Sequence, residues 1–323
     1  MIVTGPYIRV AGRLRVNVAV LTGAGTMGNY NMHTVVRVVA DGKVYEVPAL
    51  TGNAFKHWHA VYAAEQYQAS GGTLLNEFCK KGVGLRGKNL EGKDAEDECK
   101  AIEDFCNDIH GFLLPDSQIK RDSLARFAFA VPVLTHAELE NAQKFAVTHN
   151  RVDPFQKGKE TEMMVFKQEY SSARYGFSAV LDLGLSLRPL YKNCTVKIPN
   201  VDIERERKLR IKASVLGLLA AVRGGVGSHT ARALPIADLE EMVVAVDDVP
   251  IPALVHGAYP DYVEKSLDML SAFAKALNRS IRVVCYNAEC GKKPGLDVQS
   301  VRSFSEFVEG VLKIVDEFAS SRK

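Results

Sequence analysis

Three glycines near the N terminus have the spacing of a dinucleotide-binding motif. Gly23, Gly25 and Gly28 form G-x-G-x-x-G directly after an apolar, alternating segment. In a dinucleotide-binding fold the third glycine opens a helix, whose N terminus receives the pyrophosphate. Here a polar stretch, Asn29 to Thr34, and β-branched runs follow instead. The segment is better explained as a loop, in which the glycines let the backbone come close to a phosphodiester. A nucleotide-dependent oxidoreductase stays open as an alternative.

Soft metal ligands are concentrated in one polar segment. Cys79, Cys99, Cys106 and His110 fall within residues 73–123, and the last two have the i, i+4 spacing that places both on one helix face. Three thiolates and one imidazole complete a tetrahedral structural zinc site. The segment has no Cys-x-x-Cys pair, so unrelated free thiols are the alternative. The sequence therefore predicts zinc as a structural cofactor, with no open position for catalysis.

The stretch RGGVGSHTAR, residues 223–232, combines glycines with donors. Arg223, His229 and Arg232 are its basic side chains. A flexible loop of this composition suits a phosphate backbone. It is not a P-loop, because it lacks Gly-Lys-Ser/Thr and follows a predicted helix.

Composition and charge limit the classes of protein that fit. The 323 residues are 47% hydrophobic and carry a formal net charge of +3, which by itself identifies no polyanion partner. No apolar run approaches the length of a membrane span, and residues 1–16 lack the apolar core of a signal peptide. We therefore expect a cytoplasmic protein without a disulfide framework, with Cys285 and Cys290 as core or loop thiols.

Hydrophobic periodicity predicts the elements that carry these residues. Alternation predicts strands, and 3.6-residue periodicity predicts helices. The main elements are a strand at 8–20, a helix at 52–68, strands at 124–134 and 175–187, a helix at 202–222 and a strand at 240–246. This β-α-β-β-α-β order is typical of a ferredoxin-like, α+β fold. The chain is expected to be a single domain, residues 1–323.

Two insertions interrupt this order. The first, 73–123, contains the predicted zinc ligands and a helical segment at 95–108. The second, 135–172, has candidate strands at 144–148 and 162–169. The loop between these strands includes His149 and Arg151, so the second insertion is predicted to be a protruding basic hairpin.

The histidines and aromatic residues narrow the function. None of the histidines lies beside a serine or cysteine in a nucleophile motif, although an RNA-processing nuclease built on general acid–base chemistry stays open as an alternative. The aromatic RNP1 and RNP2 elements of a base-stacking RNA-recognition motif are missing. Any RNA binding is therefore expected to come from loop contacts with the backbone.

The chain also resembles a known family. NMHT, VPALTGNAFKHWH, DIHGFL, KRDSLARFAFAVPV and RGGVGSHTARALP occur in an order similar to that of the CRISPR-associated backbone subunit of type I Cascade complexes. This is the Cas-seven, DevR-like family, and the archaeal branch is the most similar. The cysteine-containing insertion departs from the general pattern of that family.

The resemblance implies a fold, a function and partners. The fold is an RRM-like palm with inserted fingers and thumb. Several copies form a helical filament along guide RNA, bind its backbone without sequence preference and perform no cleavage themselves. Other Cascade subunits, and target DNA reached through the RNA, are the further implied partners, and no membrane is involved.

The resemblance also implies which residues contact RNA. His149 and Arg151 correspond to the thumb, and the other residues to the RNA path along the palm. The implied RNA-path residues are Arg13, Arg15, Asn29, His33, Asn53, Lys56, His57, Lys120, Arg121, Arg223, His229 and Arg232.

Overall fold

The computed structural model describes residues 5–151, 164–225 and 234–320. Within them the strands are β1 (Tyr7–Ala19), β2 (Gly23–Met27), β3 (Tyr30–His33), β4 (Val35–Ala40), β5 (Lys43–Pro48), β6 (Phe112–Leu114), β7 (Ile119–Arg121), β8 (Ala125–Phe127), β9 (Val131–Pro132), β10 (Lys144–Arg151), β11 (Met164–Asp182), β12 (Ile236–Asp247), β13 (Ile281–Tyr286) and β14 (Leu296–Val301). The helices are α1 (Gly52–Ala69), α2 (Glu77–Lys80), α3 (Glu98–Ala101), α4 (Phe105–His110), α5 (His136–Asn141), α6 (Ile203–Ala220), α7 (Tyr262–Ala276) and α8 (Phe304–Ser320).

Strand β1 lies at the centre of a mixed α/β structure. It pairs antiparallel with β11 on one side and with β12 on the other. Beyond β12 come β13 and β14, while β8 and β9 pair antiparallel with the far edge of β11. Around β1 the strand order is thus β12, β1, β11 and then β8 with β9. The connections from β1 to β8 and from β11 to β12 contain α1 and α6 respectively.

Helices α1 and α6 cover one face of this sheet because β1 alternates. Leu14 and Val16 point into the core that these helices share with β11. The two helices approach closely at Gly217, where a Cβ would lie 2.6 Å from Ala63. Thr51 caps α1 by accepting the N–H of Ala54. Helix α7 packs against a second apolar cluster on β12 and β13. None of the helices in the described ranges is both long and apolar enough for a membrane span.

Two predicted segments differ from the structure. Residues 175–187 are predicted as a separate strand, but residues 175–182 form the second half of β11, whose first half pairs with β10, and Leu183–Leu185 form a 3-10 helix. The long strand arises because the ribbon of the second insertion continues without a break into the central sheet. The predicted helix at 95–108 is two short helices, since Asp104 accepts the N–H of Asn107 and starts α4 there.

The glycine segment is a β-hairpin. Strands β2 and β3 pair antiparallel, with Gly28 at a φ of +60° in the turn between them. The expectation of a loop through Asn29 to His33 is therefore wrong for Tyr30–His33. A dinucleotide site needs a helix after Gly28, so the hairpin removes the basis for the oxidoreductase alternative.

The prediction of free thiols is also wrong. All six cysteines form disulfides: Cys79–Cys106, Cys99–Cys194 and Cys285–Cys290. The Cα atoms of the three pairs lie 5.9, 6.3 and 6.4 Å apart, within the span of a disulfide. The prediction rested on the expected cytoplasmic location, where disulfides are rare.

Candidate nucleic-acid interface

The two arginines of β1 that are predicted RNA contacts, Arg13 and Arg15, have different environments. Arg13 pairs with Glu241 at 3.0 Å, and its Nε donates to the Gly257 carbonyl at 2.9 Å. Its guanidinium also lies 5.0 Å from the ring centroid of Tyr262. These contacts hold the segment before α7, so Arg13 supports the fold. Arg15 is 62% exposed and pairs with Glu240.

The β2–β3 hairpin exposes one of its predicted contacts and buries the other. Asn29 is exposed at the turn. His33 is only 2% exposed, and its imidazole contacts the Thr34 carbonyl at 2.8 Å and the Leu21 N–H at 3.2 Å. Burial lowers the pKa of His33, which keeps the ring neutral. The prediction that His33 contacts RNA is therefore wrong, because the ring fills a core position.

A buried carboxylate fixes this hairpin against the second insertion. Glu169 of β11 accepts the His33 N–H at 2.7 Å, the Tyr30 hydroxyl, and the Lys144 ammonium at 2.9 Å. Burial opposes its ionisation, but these hydrogen bonds prevail and hold the pKa of Glu169 at about 2. The carboxylate is thus ionised and joins β3, β10 and β11.

The first turns of α1 carry the predicted residues Asn53, Lys56 and His57. Asn53 is exposed, whereas the other two are half-buried. Burial, reinforced by the positive charge of Arg86, lowers the pKa of Lys56 to about 8 and also lowers that of His57. The structure therefore adds Arg86, a residue of the first insertion, to this predicted group.

Arg86 and His57 line one small cavity, and Phe78, Cys79 and Cys106 form part of its wall. The Arg86 guanidinium donates to the Cys106 carbonyl at 3.1 Å, and burial lowers its pKa to about 10. In residues 5–151, 164–225 and 234–320, no carboxylate forms an ion pair with Lys56 or Arg86. Asp104 attracts Arg86 from beyond ion-pair distance, and partly desolvated cations that form no direct ion pair favour an anionic ligand. We call His57 and Arg86, which line this cavity, together with Lys56, the residue before His57 on α1, the cationic pocket.

Sequence reasoning missed Arg86, although a signal was present. The stretch GVGLRGK places Arg86 among three glycines, Gly82, Gly84 and Gly87, which adopt φ values of +63°, +77° and +83°. This is a second glycine-rich basic loop, similar in composition to the one at 223–232.

Adjacent residues of β7 point in opposite directions. Lys120 is exposed, with its ammonium 4.3 Å from the Tyr191 ring centroid. Arg121 has a fully buried side chain that pairs with Asp108 at 2.6 Å and Glu98 at 3.2 Å. The predicted RNA contact is thus wrong for Arg121, because its side chain is enclosed between two carboxylates. Lys120 stays available.

The remaining predicted contacts lie at the margins of the described chain. His149 is exposed on β10, and Arg151 is the last residue of that strand. Arg223 pairs with Asp238 at 2.9 Å. The predicted loop of the second insertion therefore begins later than expected, because His149 and Arg151 belong to strand β10. The rest of that loop, residues 152–161, lies outside the described residues, as do His229 and Arg232.

The predicted zinc ligands do not converge. Cys79 and Cys106 are bonded to each other, Cys99 is bonded to Cys194, and His110 lies 2.8 Å from a nitrogen of His59. Within the described ranges, no three His, Cys, Asp or Glu side chains are grouped to hold a metal ion. The predicted ligand set of Cys79, Cys99, Cys106 and His110 is wrong, because disulfide pairing separates Cys99 from the other thiols.

Comparisons with known proteins show which proteins the chain is similar to. A family model described as "CRISPR-associated negative auto-regulator DevR/Csa2" matches residues 10–267. A Thermoproteus tenax protein described as "CRISPR-associated protein Cas7/Cst2/DevR" is 62% identical over 299 residues, covering 90% of this chain and 89% of the relative. A Methanocaldococcus jannaschii protein of the same description is 33% identical over 329 residues, covering 95% and 99%. A solved chain titled "CRISPR RNA-guided surveillance complex, pre-nicking" has a similar fold, with a TM-score of 0.50, 12% identity and coverage of 96% and 99%.

Proposed function

The chain belongs to the DevR/Csa2 family of CRISPR-associated proteins, and from this premise we propose that it binds guide RNA as the repeating backbone subunit of a type I interference complex. In this role it contacts phosphates rather than bases and performs no cleavage. Its partners are copies of itself in a helical filament, other Cascade subunits, and target DNA paired with the RNA. The complex works in the cytoplasm.

The observation that carries the proposal is the cationic pocket. Lys56 and Arg86 are half-buried and form no ion pair with a carboxylate of the described residues. Their desolvation is already part of the folded state, so a phosphate oxygen gains a charge-assisted hydrogen bond at little further cost. Such contacts give affinity without reading sequence.

The topology supports an RRM-like palm. The order β12, β1, β11, β8/β9 is that of a ferredoxin-like sheet, and α1 and α6 occupy the two helical connections of that fold. We infer that the β10–β11 ribbon is the thumb and that residues 73–123 are a finger. The cationic pocket then lies where this finger meets the first helix of the palm.

Salt-dependent RNA binding tests the proposal. Fluorescence anisotropy compares wild type, Lys56→Ala, Arg86→Ala and the matched control Lys88→Ala on two RNAs of unrelated sequence. Lys88 lies on the same loop as Arg86 but pairs with Asp94 at 2.7 Å. We expect equal affinity for both RNAs, and a slope of log K against log salt that falls by about one in each pocket variant and stays unchanged in the control.

Two results would contradict the proposed function. One is a wild-type affinity that does not depend on salt concentration, because phosphate binding must release counterions. The other is a strong preference for one of the two RNAs, since that would require base contacts.

A further inference from the structure

We propose that the Cys79–Cys106 disulfide is a positioning element that holds Arg86 in place for a phosphate group. The ligand is a phosphodiester of the RNA backbone, so this inference rests on the proposed function. It adds that affinity for RNA depends on a covalent bridge inside the first insertion.

The bridge joins two short helices on either side of the cationic pocket. Cys79 belongs to α2 and Cys106 to α4, and both side chains are buried in the wall of the cavity that Arg86 lines. Helices of four and six residues have little stability of their own. Their relative position therefore depends on the contacts between them. The disulfide is the covalent contact of this set.

The loop that presents Arg86 leaves directly from α2. The Gly82 N–H donates to the Cys79 carbonyl at 3.1 Å, and the Val83 N–H donates to the Phe78 carbonyl at 3.0 Å. At the other side, the Arg86 guanidinium donates to the Cys106 carbonyl at 3.1 Å. Both half-cystines thus make a backbone contact with the segment that carries Arg86.

The same helices are fixed relative to α1, which carries Lys56 and His57. His110 of α4 lies 2.8 Å from His59 of α1. The loop backbone also passes beside His57, because a Cβ on Gly84 would lie 3.5 Å from its Nδ1 atom. A shift of α2 against α4 would move Arg86 away from the α1 residues while leaving Lys56 in place.

Other contacts keep the insertion folded without the bridge. Asp104 accepts the N–H groups of Asn76 and Asn107 at 2.8 Å each. Asn107 also accepts the Gly87 N–H at 2.8 Å and donates to the Lys88 carbonyl at 2.6 Å. We therefore expect removal of the disulfide to loosen the position of Arg86 rather than to unfold the domain.

The experiment compares two bridge-free proteins. Cys79→Ser/Cys106→Ser removes the proposed positioning element, and Cys285→Ser/Cys290→Ser is the matched control, because that bridge lies in the cluster under α7. RNA affinity is measured for wild type and for both bridge-free proteins. Each measurement is repeated after Arg86→Ala and, separately, after Lys56→Ala. Near-ultraviolet circular dichroism verifies folding, and Cys79→Ala/Cys106→Val replaces the serine variant if the latter does not fold.

We expect Cys79→Ser/Cys106→Ser to weaken binding about tenfold, the size of one lost charge-assisted hydrogen bond. Arg86→Ala should then add little in that background, whereas Lys56→Ala should keep its full effect. The inference is overturned if the variant binds as tightly as the Cys285/Cys290 control, or if Arg86→Ala and Lys56→Ala lose their effects together, which would indicate general loosening. Wild type that does not bind RNA would instead refute the proposed function, and this inference with it.

Discussion

Arg121→Ala should damage the fold, whereas the adjacent Lys120→Ala should leave it intact. The Arg121 guanidinium is fully buried and donates five hydrogen bonds: to the Glu98 and Asp108 carboxylates and to the carbonyls of Asp108, Leu185 and Arg188. Truncation removes the cation and leaves these acceptors in place. The effect is thus the cost of unpaired buried groups.

The surviving contacts decide the magnitude. Glu98 keeps the N–H groups of Leu190, Tyr191 and Lys192 at 2.7 to 3.0 Å, and Asp108 keeps Arg210 at 3.0 Å. Neither carboxylate becomes isolated, but the Leu185 and Arg188 carbonyls lose a charged donor. Breaking a buried ion pair on one side costs about 3–5 kcal/mol, and we expect a value in this range. It is a large share of the roughly 5–15 kcal/mol that stabilises a typical protein.

Guanidinium chloride unfolding, followed by circular dichroism without reductant, measures the effect. We expect the Arg121→Ala midpoint to fall far below that of wild type. Lys120→Ala should stay within about 0.5 kcal/mol of wild type, because Lys120 is exposed and its ammonium lies over the Tyr191 ring at the surface. RNA binding by the folded proteins should show the opposite order of effects. Lys120→Ala should weaken binding more than Arg121→Ala, since of these two side chains only that of Lys120 faces solvent.

A loss below about 1 kcal/mol for Arg121→Ala would refute the reasoning. It would mean that the two carboxylates are not held by the guanidinium, or that water replaces it in an open site. Equal destabilisation by both variants would also refute it, because the difference in burial between neighbouring residues is the whole basis of the prediction.

Three further outcomes follow from the described contacts. Cys99→Ser/Cys194→Ser should lose more stability than Cys285→Ser/Cys290→Ser, about 4.7 against about 2 kcal/mol, because the closed loops span 95 and 5 residues; denaturant midpoints check this. Stability should fall in two acid windows, both measured by thermal unfolding against pH. From pH 6.5 to about 4 the unfolded chain takes up a proton that the folded chain does not, because burial lowers the pKa of His59 to about 4. From about 4.5 to 2 the cause is different, because the hydrogen bonds that Glu169 accepts hold its pKa at about 2 in the folded chain. His59→Phe and Glu169→Gln should each flatten one window. Metal analysis tests the zinc prediction, and we expect zinc to be absent when the disulfides are intact and to bind, if at all, only after their reduction.

The elements of the central unit could be predicted from the sequence because local rules agree there. The predicted alternation is seen over residues 12–17 of β1 and ends at the exposed Val18, and Thr51 and Asp202 cap α1 and α6. The order of strands and helices was sufficient to suggest the topology. The predicted ends of elements are wrong where one element continues into another. Strand β11 is an example, because its two halves pair with different strands.

Side-chain roles were harder to predict, because a motif gives the type of a residue but not its burial. Lys120 and Arg121 look equivalent in the sequence, yet in a strand they face opposite sides. His33 likewise looks like a loop donor but completes the core. The cysteines pair with partners 27 and 95 residues away in the sequence. Sequence spacing does not show which of these residues the fold brings together.

The modest net charge of +3 is compatible with the proposed RNA binding, because many of the basic residues are neutralised within the protein and a few are not. Arg13, Arg15 and Arg223 each pair with a carboxylate, so their charges are largely used within the protein. Lys56 and Arg86 come from segments 30 residues apart, and in the described chain neither has such a partner. Phosphate affinity depends on the number of local neutralising contacts rather than on the overall charge. A protein of this composition therefore needs only a few cations without internal partners, repeated in each copy along an RNA, to bind it tightly.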